Sequence, residues 1–353
     1  MISSRTRSST LHALFACAVL LGHGCGGTLA TSAPPVVARH DIVESATTSS
    51  PTAPVTSAEP PIATLAERVA VPGTGVSLQP PLGATLMRVG AGFLGAEHEL
   101  EIVVALAEDQ STLDDIARFG DGGPRPTTEN VTIDGRAVQL MTQGFDDDGE
   151  SVERVWFLVR DGARGLAMLG EYDADATASV RAQVRESLLS TQWDAHAALD
   201  PESAAGYRIT ESADLLPHAE VVNGISYAPR GEIVTVDGGA PAILVAPLDV
   251  DVPQGERSED CEMLLMLSGP VAADTVVHHD QFSTETVAGC EVFGDEAVDA
   301  PHAGGPRRLS TYAAVVFLDS EAFVVAGIVD AREGARWRPS FAAAARSLAW
   351  VVR

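Results

Sequence analysis

Lysine is absent from this 353-residue chain. All 23 basic residues are arginine, against 49 aspartates and glutamates, for a formal net charge of −26. Binding a phosphate backbone requires a basic stripe that displaces counterions, so nucleic acid is not expected as a partner. The same deficit argues against docking on an anionic membrane surface through side chains. Cysteine is scarce: four residues, at positions 17, 25, 261 and 290. None forms a Cys-x-x-Cys pair, which removes the thiol-redox motif and the zinc ribbon. Gly-x-Ser-x-Gly, His-Glu-x-x-His and Ser-x-x-Lys are missing as well. A catalytic triad is recognised by geometry, and 49 acids offer too many pairs to single out two glycosidase carboxylates. An exported hydrolase with a dispersed active site therefore stands as the alternative function. No catalytic, cofactor-binding or metal-ligating residue is assigned. What is plentiful is apolar: 45% hydrophobic against 20% charged residues, in a length that suits two globular domains.

The start of the chain reads as an address. Arg5 and Arg7 precede an apolar run from Leu11 to Leu21, with no acid before Asp41. A membrane-spanning helix needs about 20 such residues, so this run has the layout of a signal peptide, residues 1–24. Small residues Gly22, Gly24, Gly26 and Gly27 surround Cys25. That setting resembles a bacterial lipoprotein signal, in which the Cys is lipidated and becomes the new N-terminus; Gly22 departs from the leucine usual three positions before it. Cys17 follows Leu14-Phe15-Ala16, a better local match that leaves a very short apolar core. Ordinary secretion with cleavage near Ala30 is the other reading. Residues 25–63, rich in Ser, Thr, Pro and Ala, cannot bury enough surface to order themselves, and are read as a flexible tether. The expected partner at this end is the lipid bilayer, through Cys25; the expected location is the bacterial cell envelope, on the outer-membrane or periplasmic side.

The remainder reads as two similar domains, residues 64–195 and 203–353. Trp156-Phe157-Leu158-Val159, a turn at Asp161-Gly162 and Gly165–Tyr172 are answered by Val315-Val316-Phe317-Leu318, a turn at Asp319–Glu321 and Phe323–Val329. A helix then runs to Ser190–Trp193 in the first and to Ser347–Trp350 in the second. Thr128–Val131 before Gly135 is matched with Thr284–Val287 before Gly289, and Pro81-x-Gly83 with Pro229-x-Gly231. Leu100, Ile102, Val104 and Leu106 alternate with Glu99 and Glu101, as a strand buried on one face requires. Ser111 and Asp114 form a capping signature for a short helix to Phe119. Val180, Val184 and Leu188 make a helical stripe; Phe341, Ala345 and Leu348 do so after Pro339, taken as a first-turn residue. The fold class is α+β: two tandem domains, each an antiparallel sheet flanked by helices.

In order and spacing this pattern resembles the PsbP/Mog1-like domains. The resemblance implies a sheet used for binding or assembly, usually without catalysis, and transfers no functional residue. The expected activity is therefore that of a non-enzymatic, tethered binding or assembly module for a protein or envelope ligand.

Cys261 and Cys290 remain in the folded part. In an oxidising compartment an even pair is expected to form a disulfide, here between two neighbouring strands, Met263–Leu267 and Val292-Phe293; two separate buried thiols are the alternative. Gly90-x-Gly92-x-x-Gly95 matches a dinucleotide fingerprint in letters, with Asp115 beyond, but a strand follows where a helix is needed, so it reads as a hairpin loop. Asp146–Glu150 crowds four carboxylates into an expected hairpin turn, without the spacing of a Ca²⁺ loop. His278-His279-Asp280 reads as a polar loop.

Overall fold

The computed structural model describes residues 65–95, 100–107, 125–147, 150–218, 224–231, 239–248, 250, 261, 264–265, 278–298 and 307–353. The signal segment, Cys17, Cys25, the tether, the Ser111–Phe119 helix, Asp115, Asp148 and Gly149 lie outside them.

In the first domain a small sheet joins β1 (Val69–Val71), β2 (Val76–Leu78) and, from the far end of the domain, β10 (Gln192–Trp193). The main sheet contains β3 (Thr85–Leu86), β4 (Gly92–Leu94), β5 (Leu100–Ala107), β6 (Thr127–Ile133), β7 (Arg136–Asp147), β8 (Glu150–Asp161) and β9 (Arg164–Asp173), in the order β3-β4-β5-β9-β8-β7-β6. Helix α1 (Ala178–Leu189) opens at Thr177, whose hydroxyl accepts from the Val180 amide. It buries Val184 and Leu188 on the sheet face formed by Ile102, Val104, Phe157, Leu166 and Met168. Helix α2 (Pro201–Ala205) links the domains; Ala204 joins the first core and Ala205 the second.

The second domain repeats this plan. A strand pair, β11 (Tyr207–Ile209) with β19 (Leu348–Trp350), replaces the small sheet. The main sheet contains β12 (Leu216–Pro217), β13 (Ile225–Ala228), β14 (Ala242–Leu248), β15 (His278–Ser283), β16 (Val287–Val298), β17 (Arg307–Leu318) and β18 (Glu321–Asp330). Their order, β12-β13-β14-β18-β17-β16-β15, copies that of the first sheet. Helix α3 (Gly334–Arg346) covers one face through Phe341, Ala344 and Ala345. Both domains are thus antiparallel sheets carrying a helix, as the sequence implied.

Two glycines fix the superposition. A Cβ on Gly170 would stand 2.4 Å from Val184 Cγ1, and one on Gly327 2.6 Å from Phe341 Cγ. Gly170 and Gly327, Val184 and Phe341, Ser190 and Ser347, and Trp193 and Trp350 are each 157 apart (327 − 170). In each domain the helix therefore rests directly on a glycine of the strand beneath it.

Several local expectations need correction. Both helices end before their final motif: Gln192–Trp193 and Leu348–Trp350 are strands, each closing back on an early strand of its own domain. Pro339 lies inside α3, because the helix begins at Gly334 rather than at the proline. Pro81 and Pro229 are not counterparts, since one precedes β3 and the other follows β13. Thr284–Val287 is the β15–β16 turn, whereas Thr128–Val131 lies within β6. His278–Asp280 belongs to strand β15, paired with β16, rather than to a loop. The Gly90–Gly95 run, by contrast, lies among hairpins as expected: the Gly95 amide donates to Leu100 O between β4 and β5.

Candidate functional site

Each main sheet has an inner face under its helix and an outer face turned away. The two outer faces differ chemically, and the candidate site lies in that difference.

On the second sheet the outer face is sealed. Cys261 and Cys290 are joined by a disulfide with a Cα–Cα distance of 6.0 Å. Cys290 is on β16, but Cys261, Leu264 and Leu265 are helical, not the strand expected from their apolar run. They pack on Val292, Ala313, Val315, Phe317 and Ala322, which all belong to the outer face. The bridge fastens a helical element across the strands instead of tying two strands together. A run such as Met263–Leu267 is equally compatible with a buried strand and a buried helix, so its letters alone did not separate the two.

On the first sheet the corresponding face carries charge. Glu101 on β5 stands opposite Glu171 on β9; Glu171 is opposite Arg154 on β8; Arg154 is opposite Gln143 on β7. One row of polar side chains thus crosses four strands. Counted from Gly327 as from Gly170, the same row in the second sheet reads Ala242, Ile328, Thr311 and Gly294. The fold accommodates a nearly apolar row at these positions, so the charged one is not a requirement of the architecture.

Within the row the Arg154 Nε donates to Glu171 Oε2 at 2.6 Å, with side-chain exposures of 9% and 12%. The guanidinium also lies 4.0 Å from the Phe145 ring centre. In the adjacent row Met141, Trp156, Leu169 and Val103 follow one another across the strands. Trp156 is 6% exposed, and its indole Nε1 has no hydrogen-bond partner among the described residues. A pair of charges taken out of water gains little net stability compared with apolar residues of similar size. An indole N–H left without an acceptor is an outright cost. The face therefore holds an ion pair in a fixed position where apolar residues would be no less stable.

On the inner faces, charge is used structurally. Arg346 of α3 donates to both Glu291 oxygens at 2.7 Å, and the Tyr312 hydroxyl donates to Oε2 at 2.9 Å. In the first domain Tyr172 donates to Glu153, near Arg181 of α1. Burial, reinforced by the adjacent carboxylate, pushes both phenols well above their ordinary value.

Asp146, Asp147 and Glu150 lie in the strands at the β7–β8 hairpin, as expected. Among the described residues no group of three or more His, Cys, Asp or Glu is gathered for a metal. Among them, too, no helix is long and apolar enough to cross a membrane. Arg154, Glu171 and Gln143 were not singled out from the sequence, and Trp156 entered only as a landmark of the repeat. The available signal was Glu101, which strand alternation had already placed on the face away from the core.

No protein-family model matches the chain, and no curated protein sequence does so at a significant level. Solved structures do match at the level of chain trace. The immunity protein TplEi of Pseudomonas aeruginosa aligns over 78% of this chain and 95% of its own, at 9% identity and TM-score 0.31. Cyanobacterial PsbP from Synechocystis covers 40% of this chain and 99% of its own, at 14% and 0.23. The Saccharomyces cerevisiae Ran-binding protein Mog1p covers 42% and 87%, at 16% and 0.22. This chain spans about half the length of a further match from Bacteroides thetaiotaomicron, with 50% of that chain covered. The resemblance to PsbP and Mog1p is a weak one, and at such TM-scores the likenesses carry no functional argument.

Proposed function

We propose that the protein is an exported binding module, lipidated on Cys25 and held off a bacterial envelope membrane by residues 25–63. In this reading the outer face of the first sheet recognises a protein or envelope ligand. One observation carries it: a polar row with a nearly buried ion pair at its centre, Glu101–Glu171–Arg154–Gln143, occupies positions that the second sheet fills with Ala242, Ile328, Thr311 and Gly294. The Cys261–Cys290 disulfide supports export, because such bonds persist in oxidising compartments.

The test places a photo-crosslinking residue at Leu158, which lies on this face, and another at Thr128, exposed on the edge strand β6. In cells of the source organism, discrete adducts are expected at Leu158, absent at Thr128 and lost in Arg154→Thr/Glu171→Ile. Equal labelling at both sites, or adducts indifferent to that double substitution, would remove the binding face. Anchoring is tested apart from binding: Cys25→Ser is expected to move the protein from the membrane to the soluble fraction, and continued membrane partition rules out lipidation there.

A further inference from the structure

The interface between the domains is built around one side chain. Beyond β19 the chain turns back as Val351–Arg353, and the Val351 amide donates to Gly206 O at 2.9 Å. The Arg353 guanidinium then enters a nest of backbone carbonyls. Nε donates to Ser203 O at 2.9 Å, Nη1 to Met87 O at 2.5 Å, and Nη2 to Gly90 O at 3.1 Å and to Ala204 O. Two of these acceptors belong to the first domain's β3–β4 loop and two to the linking helix α2. A residue of the second domain thereby gathers both.

The same loop reaches across by other means. Val89 packs against the second core, and the Gly90 amide donates to Ala205 O at 2.8 Å. Arg88 lies 3.9 Å from the Trp350 ring centre and pairs with Asp319 at 2.5 Å, but both partners of that pair are more than half exposed. Exposed ion pairs hold weakly. Arg353 is different: its guanidinium meets four backbone carbonyls at once rather than one carboxylate, and desolvation among them lowers its pKa. Were it removed, four carbonyls would lose their donor together. The αL geometry of Gly206 (φ +87°) adds to the constraint, since a Cβ there would stand 2.2 Å from Arg88 O.

We propose that Arg353 is the key of an interdomain latch: its side chain makes the two domains one cooperative body. Ligand bound to either domain then stabilises both. The latch is independent of the proposed binding face and is tested without any ligand.

Calorimetry and hydrogen exchange on the full chain test it. The wild type is expected to melt in one transition, whereas Arg353→Ala shows two. In that variant the Gly90 and Val351 amides should exchange about tenfold faster or more, while those of β5, β9 and β18 keep their rates. Arg88→Ala is expected to leave both readouts as in the wild type. Arg353→Gln, which keeps two donors, serves if alanine prevents folding, and its junction amides should also exchange faster. A single transition with unchanged Gly90 and Val351 exchange in the Arg353 variants, or equal uncoupling by Arg88→Ala, overturns the proposal.

Discussion

Transplanting the second sheet's row into the first separates stability from recognition. The substitutions are Glu171→Ile and Arg154→Thr, the residues that Ile328 and Thr311 supply at the matching positions. Removing Glu171 alone deprives a nearly buried guanidinium of its carboxylate, whose oxygen lies 2.6 Å away. Breaking such a pair costs about 3–5 kcal/mol. Arg154→Thr alone should cost a similar amount, because it leaves Glu171 directly opposite Glu101. Replacing both is expected to range from neutral to about 1–4 kcal/mol stabilising. The double-mutant cycle therefore predicts a coupling of about 6 kcal/mol or more in magnitude, well above the additivity error of distant sites. Urea unfolding of the four proteins measures it, provided that the slope is constant across the set. If the singles sum to the double within about 0.5 kcal/mol, the pair is not a buried, mutually dependent unit, and the contrast between the sheets loses its meaning. A double variant that is stable yet loses its crosslinks shows a row kept for recognition; one that is stable and still crosslinks does not.

Alkaline pH offers a second measurement. Burial raises the pKa of all four tyrosines, 172, 207, 227 and 312, and there is no lysine to titrate alongside them. The unfolded chain ionises near pH 10 and the folded one later, so this stability is whole below about pH 10 and lost above it. The fall should approach about 1.4 kcal/mol per pH unit for each tyrosine, with tyrosinate absorbance rising only as the fold melts. Gly327→Val should destabilise by several-fold more than Gly162→Ala, since only the former meets a ring; a melting comparison checks this. Reduction of Cys261–Cys290 should lower stability by about 3 kcal/mol, read from denaturant midpoints with and without reductant.

The plan of two sheets was legible because a buried face leaves a two-residue rhythm, as Leu100, Ile102, Val104 and Leu106 do. The terminal strands were not. Gln192–Trp193 and Leu348–Trp350 are two or three residues long, and only distant partners define them. The charged row was hidden for a similar reason: its four members lie on four strands and meet only through register. Cys261 and Cys290 could be paired from compartment and parity, but the helix that carries Cys261 could not be told from a strand.

The contact between the domains joins unlike surfaces: the β3–β4 loop of the first meets Trp350 of the second. A heterologous join of this kind has no intrinsic end, and repetition of it makes fibres. The matching tryptophan of the first domain, Trp193, is already covered. Arg136 of its own domain lies 5.5 Å from the ring centre, held by Asp134 at 2.7 Å and Asp161 at 2.9 Å. The acceptor is filled from within, so the contact made at Trp350 has no counterpart at Trp193.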